Sequence, residues 1–334
     1  MEVHEVADFG KAFYTFKGSL GEGPIYRAED DTLHYVLPLS DPAEIHILSL
    51  AERDLGTEMT ALKRYLSDSI TMLAFVKDRP NTYIGGSKSG IAMVDENSGD
   101  IQVLKDLIPE SQHKQVRIND GAVDSKGRLW IGEFDIPATF QQVHKTDPSY
   151  KPQGRLWRYD PDGTITKHGE GLYGSNGLAW SLDDRYMFHI DSGEGVVRRY
   201  EFDVEKGTLS NRIDWVDFRD GAGAKNGVPE YLQGGVPDGM VIDSEGNLWI
   251  AILGKGRVVC FSSSEQGVIM REIRAPEETP NLTCPGWGGK DLGVLYCTSA
   301  NFEGDESTRT SNVFRLNVGS IWGVKGVEKY KFGA

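Results

Sequence analysis

The sequence has few cysteines, and the three present do not form a recognisable site. Cys260, Cys284 and Cys297 are far apart, and none lies in a Cys-x-x-Cys pair. Neither a disulfide framework nor a thiolate zinc site is therefore predicted. No apolar run reaches the roughly 18 residues of a membrane span. Residues 1–8 are acidic and lack the apolar region of a secretory signal. We predict a reduced cytoplasmic protein with no membrane partner.

Positive charge is also in short supply. Lys and Arg number 36 against 50 Asp and Glu, which gives a formal net charge of −14. This balance argues against nucleic acid as a partner. The sequence also lacks the Gly-x-Ser-x-Gly motif of serine hydrolases and the His-Glu-x-x-His motif of zinc proteases.

Helical periodicity is scarce. Residues 62–66 are the best candidate for a helix, and the stretch is short. Elsewhere, short apolar or alternating runs are separated by Gly, Asp, Asn and Pro, and the chain has 40 glycines and 14 prolines. This pattern is typical of an all-β protein.

The strand-like runs repeat along the chain. Each clear copy has a polar residue, a glycine, a short strand, a tight turn and a second strand. The copies begin at Glu22, Asn119-Asp120, Asn176 and Asp238, and two weaker copies occur near Tyr83 and Leu295. A period of roughly 50 residues with several strands per unit indicates a β-propeller. We predict one domain, residues 1–334, folded as an all-β six-bladed propeller.

The polar residue that opens each copy should lie near one mouth of the central channel, because equivalent positions in a propeller lie at equivalent radius and height. Glu22, Asp120, Asn176 and Asp238 should therefore converge. We predict that Glu22, Asn176 and Asp238 bind one divalent cation. An all-oxygen set suits Ca²⁺, Mg²⁺ or Mn²⁺, and Zn²⁺ is possible. The alternative is that these Asn-Gly and Asp-Gly pairs form ordinary turns.

Arg117 and Asn119 are two residues apart in an extended segment, so their side chains face the same side. A cation and an amide beside the carboxylates can bind substrate hydroxyls or a developing carboxylate. The alternative for Arg117 is a structural ion pair with a neighbouring acid. We expect Asp120 to fix the turn or orient a ligand, because Asn119 competes for the inward position.

Four motifs together resemble the senescence-marker-protein-30 family, which includes regucalcin and the gluconolactonases. They are Leu20-Gly-Glu-Gly-Pro24, Arg117-Ile-Asn-Asp-Gly-Ala-Val-Asp124, Ser175-Asn-Gly-Leu-Ala-Trp-Ser181 and Pro237-Asp-Gly-Met240. The resemblance implies a six-bladed propeller that hydrolyses sugar lactones with one cation, held at Glu22, Asn176 and Asp238. It further implies that Arg117 and Asn119 bind substrate and that Asp238 is the general base.

From this resemblance we expect hydrolysis of an aldono-γ- or δ-lactone to the aldonic acid, with calcium as the first choice of cation. The family's further substrate-binding acid has no clear counterpart here, and Glu133 and Asp135 are the candidates. The substrate lid should lie in the insert 136–153. The alternatives are a phosphotriesterase or aryl-esterase-like hydrolase and a non-enzymatic calcium-binding regulatory propeller. The partner is a small sugar lactone, and the protein is a monomer or a weak homodimer.

Overall fold

The structure is a computed structural model in which residues 4–51, 60–219 and 226–333 are described. These residues form six sheets arranged around a channel, so the predicted six-bladed β-propeller is confirmed. Two strands near the N-terminus join the last two blades. They are β1 (Glu5–Asp8) and β2 (Tyr14–Lys17).

Blades 1 to 3 each consist of four consecutive antiparallel strands, with the first strand innermost. Blade 1 contains β3 (Glu22–Arg27), β4 (Thr32–Leu37), β5 (Glu44–Ser49) and β6 (Ala61–Tyr65). Blade 2 contains β7 (Ile70–Phe75), β8 (Thr82–Ser87), β9 (Gly90–Asp95) and β10 (Ile101–Asp106). Blade 3 contains β11 (Val116–Val123), β12 (Leu129–Asp135), β13 (Gly154–Tyr159) and β14 (Ile165–Leu172).

Blades 4 to 6 follow the same order. Blade 4 contains β15 (Ser175–Trp180), β16 (Tyr186–Asp191), β17 (Val196–Asp203) and β18 (Thr208–Asp217). Blade 5 contains β19 (Val236–Ile242), β20 (Leu248–Leu253), β21 (Arg257–Phe261) and β22 (Ile269–Arg274). Blade 6 contains β23 (Leu282–Gly288), β24 (Val294–Ser299) and β25 (Thr310–Asn317).

The N-terminal strands close the ring. β2 pairs antiparallel with β25 and supplies the outer strand of blade 6, whose other strands come from the C-terminal part of the chain. β1 adds to blade 5 as a parallel edge strand on β22. Pairing the two ends of the chain within one blade joins the first and last blades and covers edges that would otherwise be exposed.

The helix prediction at residues 62–66 is wrong, because residues 62–65 lie in strand β6 and Leu66 follows it. β6 pairs with β5 from Ala61 opposite Leu48 to Tyr65 opposite Glu44. Leu62 and Tyr65 remain 50% and 59% exposed, so their spacing reflects no buried helix face. Pairing with the neighbouring strand overrides a weak local pattern.

The described helices are short. α1 (Ile136–Phe140) and α2 (Val143–Thr146) lie in the insert of blade 3, and α3 (Val318–Trp322) follows the last strand. Single 3₁₀ turns occupy Glu110–Gln112, Glu230–Leu232 and Glu306–Thr308. Within the described ranges, no helix is long and apolar enough to cross a membrane.

The core lies between the blades. Each pair of neighbouring blades encloses one cluster of buried apolar side chains among the described residues. Trp130 and Trp249 are fully buried in two of these clusters. Because both faces of every sheet are covered, the inner strands are held firmly around the channel.

Candidate active site

All six inner strands carry a β-bulge at the same height. At each bulge the inner strand advances three residues while its neighbour advances two. The bulges lie between Glu22 and Ile25, Ile70 and Leu73, Ile118 and Gly121, Ser175 and Leu178, Pro237 and Met240, and Leu282 and Pro285. A bulge releases residues from the ladder and changes where their side chains point. Every site residue predicted on an inner strand, apart from Arg117, lies in or beside one of these bulges.

The register of the bulges refines the sequence repeat. Asn119, Asn176 and Asp238 occupy the same position, directly after the last paired residue of the first segment. Asp120 lies one position further along, and Glu22 one position earlier. The internal repeat in the sequence instead predicts that Asp120 is level with Asn176 and Asp238, because it matches the residue that precedes each glycine. The register agrees with the expectation that Asn119 competes for the inward position.

Asn176 and Asp238 are in direct contact across neighbouring blades. Asn176 Nδ2 donates a hydrogen bond to Asp238 Oδ1, and the two residues are only 6% and 7% exposed. Close approach of the inner strands requires glycine here, because a Cβ on Gly239 would lie 2.7 Å from Cys284 Cα. A larger residue would push the strand carrying Asp238 away from blade 6.

The carboxylates at this height repel one another. Burial raises the pKa of Glu22 well above its usual value, and the negative charges of Asp238 and Asp120 raise it further. Burial and Asp120 raise the pKa of Asp238 to about 8, although the Asn176 hydrogen bond and Arg117 act in the opposite direction. Carboxylates kept close together away from bulk water are typical of a site that binds a cation.

The donor set fits a divalent cation when the Asn176 amide is included. Among the described residues, no three or more His, Cys, Asp or Glu side chains are grouped closely enough to hold a metal ion. Glu22 and Asp238 supply two carboxylates, and Asn176 contacts Asp238 directly. Rotating the Asn176 amide by half a turn would present its oxygen in place of its nitrogen, and the two groups are nearly equal in size. Two carboxylates and an amide oxygen form a hard, all-oxygen set.

Arg117 lies beside this cluster without a carboxylate partner. It forms no ion pair with any described residue, its Nε has no hydrogen-bond partner, and its Nη2 is 3.4 Å from Asn119 Oδ1. Its guanidinium lies 5.2 Å from the centre of the Phe134 ring. Burial lowers the pKa of Arg117, and the charges of Glu22 and Asp238 oppose this shift. The structural ion pair considered as an alternative is therefore absent from the described contacts.

Asn119 holds Arg117 in place. Its Nδ2 donates a hydrogen bond of 2.9 Å to the backbone oxygen of Ser175 in the next blade, so its Oδ1 is turned towards Arg117. The amide therefore connects blades 3 and 4 next to Asn176. These two hydrogen bonds place the side chains of Arg117 and Asn119, two residues apart on one strand, in the same region of the channel.

Glu133 and Asp135 are held in contacts within blade 3. Glu133 accepts hydrogen bonds from Arg155 Nε at 2.6 Å and Trp157 Nε1 at 2.8 Å. Asp135 caps α1 by accepting from the Ala138 amide, and it also accepts from Tyr150 and Gln153. With their oxygens used in this way, the two acids fit structural roles better than substrate binding.

The insert 136–153 places an aromatic side chain next to Arg117. Phe140, at the end of α1, is 66% exposed, and its ring centre lies 5.1 Å from that of Phe134. The Arg117 guanidinium is 6.0 Å from the Phe140 ring. Sequence reasoning located this insert but missed both phenylalanines, which have no counterpart in the repeat.

Two further residues at the bulges were also missed. Thr71 in blade 2 and Thr283 in blade 6 occupy positions equivalent to Asn176. Each donates from its hydroxyl to a backbone oxygen, Thr71 to Gly86 at 3.3 Å and Thr283 to Gly21 at 2.7 Å. Neither precedes a glycine, so the polar-residue-and-glycine pattern did not mark these inner strands.

Comparison with known proteins agrees with this architecture. Residues 20–301 match the model of the "SMP-30/Gluconolactonase/LRE-like region" family. The "Putative sugar lactone lactonase YvrE" of Bacillus subtilis is 28% identical over 87% of this chain and 86% of its own. A solved luciferin-regenerating enzyme is 26% identical with a TM-score of 0.77, and covers 95% of this chain and 96% of its own.

A second solved structure shares the fold. It is described as a calcium-binding protein, regucalcin, from Agrobacterium tumefaciens, and it is 23% identical with a TM-score of 0.77. The superposition covers 99% of this chain and 100% of the other. The family model spans most of the sequence, and the six-bladed propeller is also the fold of these solved structures. The chain therefore belongs to the SMP-30/gluconolactonase/LRE-like family.

Proposed function

We propose that the protein hydrolyses a sugar lactone, an aldono-γ- or δ-lactone, to the aldonic acid with the help of one divalent cation. The observation that carries the proposal is the buried contact between Asn176 and Asp238, with the Glu22 carboxyl close enough to be repelled by Asp238, and with Arg117 beside it, without an ion pair among the described residues. Membership of the family and a relative named as a sugar lactone lactonase support a hydrolase acting on sugar lactones.

Glu22, Asn176 and Asp238 are the residues that would hold the cation, and calcium is the first choice. A bound divalent cation supplies a Lewis acid that polarises the ring carbonyl and stabilises the negative charge developing on its oxygen. The relative described as calcium-binding favours a cation at this fold but does not identify the ion.

Asp238 is the proposed general base. It takes a proton from the water that attacks the carbonyl carbon, and the ring C–O bond then breaks with a proton passing to the ring oxygen. Burial and the charge of Asp120 raise the pKa of Asp238 and so strengthen it as a base, whereas a bound cation would lower this pKa. Arg117 donates hydrogen bonds to substrate oxygens, and Asn119 keeps it in position.

The proposal is tested by acid release from a panel of lactones. Glucono-, galactono-, arabinono-, xylono- and rhamnono-lactone would be given to EDTA-treated protein, with Ca²⁺, Mg²⁺, Mn²⁺ or Zn²⁺ restored singly. We expect turnover above the spontaneous rate with at least one pair of lactone and cation. A readout independent of activity is the melting temperature, which should rise when the effective cation is added.

The matched variants are Asp238→Asn and Asp162→Asn. Both aspartates lie in a Pro-Asp-Gly tripeptide, but Asp162 is exposed in the turn between β13 and β14. Asp238→Asn should lower kcat at least about a hundredfold, the contribution of a positioned base, whereas Asp162→Asn should leave it unchanged. Cation-dependent stabilisation without lactone turnover would favour the regulatory alternative, and turnover of phosphotriesters or aryl esters alone would favour the other hydrolase.

A further inference from the structure

The channel continues past the candidate active site into a separate cavity. This cavity has a volume of about 420 Å³ and is lined by Gly23, Met72, Asp120, Leu178, Met240 and Cys284, among others. Each of these residues follows the candidate site along an inner strand. Glu22, Arg117, Asn119, Asn176 and Asp238 do not line it. It therefore lies at the opposite mouth of the propeller, and its volume is within the range of small-molecule sites.

A C-terminal segment crosses this second mouth. At one end it is fixed to blades 5 and 6, where Ser244 N donates to Lys325 O at 2.8 Å and a Cβ on Gly326 would lie 2.0 Å from Trp287 Cγ. At the other end Phe332 N donates to Phe75 O at 2.8 Å in blade 2. Residues 327–330, between these anchors, form one wall of the cavity.

The walls are mainly apolar and rich in aromatic side chains. Five aromatic residues line the cavity, namely Tyr26, Phe75, Trp180, Trp287 and Tyr330. Leu182 and Tyr330 also line it and remain 54% and 43% exposed, so the apolar lining reaches the solvent. A rim of this kind accepts a ligand with an apolar body.

The inner end carries a carboxylate without an ionic partner. Asp120 Oδ1 accepts from the Gly121 amide at 2.7 Å, and Asp120 forms no ion pair with any described residue. The carboxyls Asp184 and Glu328 and the ammonium groups of Lys290 and Lys329 also line the cavity, so acidic groups outnumber basic ones. The whole protein has a net charge of −14, which also favours a cationic ligand.

Lys329 is the competing cation. Its Nζ is 3.4 Å from the backbone oxygen of Pro24. Burial raises the pKa of Asp120, and the Gly121 amide and the positive charge of Lys329 oppose this shift without an ion pair being formed. The Lys329 side chain is exposed and belongs to the crossing segment, so it can swing away from the mouth. It weakens the attraction for a cation but leaves the Asp120 carboxylate open to the cavity.

From this arrangement we propose that the second mouth is a binding site for a small hydrophobic monoamine, whose ammonium pairs with Asp120 while its apolar body packs against the aromatic walls. Charge pairing with Asp120 at the inner end and cation–π contact along the aromatic walls favour an amine over neutral or acidic molecules. The site does not depend on the proposed hydrolysis. Its lining excludes the residues proposed to bind the lactone and the cation, and the two sites are linked through the charge of Asp120, which raises the pKa of Glu22 and Asp238.

The test uses three probes of similar size and different charge: 4-phenylbutylamine, 4-phenylbutanol and 4-phenylbutanoate. Calorimetric titration of the full-length protein, with and without Ca²⁺, should show the tightest binding for the amine. Asp120→Asn should weaken amine binding by about tenfold or more, as expected for a hydrogen bond to a charged group.

Lys329→Gln is the second variant, in case Asp120→Asn does not fold. Lys329 is exposed, so its replacement should leave the fold intact. The variant should tighten amine binding by up to about fivefold, the range of exposed charge pairs, and should not tighten butanoate binding. Lys331→Gln is the matched control, since Lys331 pairs with Glu29 at 2.9 Å and does not line the cavity. The proposal would be overturned by tighter binding of the butanoate than of the amine, or by no amine binding. It would also be overturned if Ca²⁺ displaced the amine, or if Lys329→Gln and Lys331→Gln had equal effects.

Discussion

Two arginines of blade 3 have different contacts, although both lie on strands and close to an aromatic ring. Arg117 and Arg155 both belong to blade 3 and both approach an aromatic ring. Arg155 forms an ion pair with Glu133 at 2.6 Å, whereas the partners of the Arg117 side chain among the described residues are the Asn119 amide and two phenylalanine rings. An unpaired buried guanidinium is available to a ligand, and a paired one is not.

Replacing Arg117 should therefore affect catalysis, and replacing Arg155 should affect stability. Arg117→Gln should lower kcat/KM for the best lactone by about tenfold to a hundredfold, the range for a hydrogen bond from a charged donor. Arg155→Gln should leave kcat/KM near its original value but lower the melting temperature, because Glu133 loses its partner. Steady-state kinetics and thermal unfolding of both variants check this, and equal losses of kcat/KM would contradict it.

The two ends of the insert 136–153 in blade 3 are held together by one residue, Asp135. Asp135 joins the start of α1 to residues 150 and 153 at the end of the insert, through Ala138 N at 2.8 Å, Tyr150 OH at 2.8 Å and Gln153 N at 2.7 Å. Phe140 depends on this anchor for its position over Arg117. The insert is therefore the element best placed to cover a bound substrate.

Asp135→Ala should loosen the insert without disturbing the blades. We expect faster hydrogen exchange in residues 136–153 and a several-fold higher KM, with a smaller change in kcat. Asp147→Ala is the matched control within the same insert, because Asp147 contacts only the neighbouring Ser149 among its described hydrogen-bond partners. Unchanged exchange in Asp135→Ala would show that the anchor does not hold the insert.

At the scale of the whole molecule, burial lowers the pKa of four described histidines, of which His34, His46 and His189 are fully buried and His168 is half-buried. Burial lowers the pKa of His34 to about 4, of His168 to about 4 and of His189 to about 3. His34 is hydrogen-bonded across blades 1 and 2 to Tyr83 OH at 2.8 Å, and His189 is hydrogen-bonded within blade 4 to Ser175 Oγ at 2.7 Å. Ser175 and His189 are fully buried and so form a structural pair rather than a nucleophile and its base.

These histidines should make the fold sensitive to acid. Between pH 6.5 and about 4, the unfolded chain binds protons at His34, His168 and His189 and the folded chain does not, and for His189 this range extends to about pH 3. The free energy of unfolding should therefore fall as pH decreases through this range, by up to about 1.4 kcal/mol per pH unit for each histidine. Urea denaturation at pH 7 and pH 5 measures the change. His189→Gln should reduce it, and an unchanged dependence on pH would contradict the assignment of His189.

The sequence by itself determined the repeat, and through it the number of blades and the three candidate ligands Glu22, Asn176 and Asp238. This was possible because each blade is a local unit, in which apolar alternation and turn residues lie within a few tens of positions. The same local reasoning failed at residues 62–66, where strand pairing prevailed over a short apolar pattern.

Only the tertiary structure decided which polar groups face one another. The bulges set Asn119 level with Asn176 and Asp238 and moved Asp120 towards the opposite cavity. The oxygens of Glu133 accept hydrogen bonds from Arg155 and Trp157, which the sequence pattern did not indicate. These contacts join strands from different blades or distant parts of one blade. Their register depends on closure of the whole ring, which no local sequence pattern records.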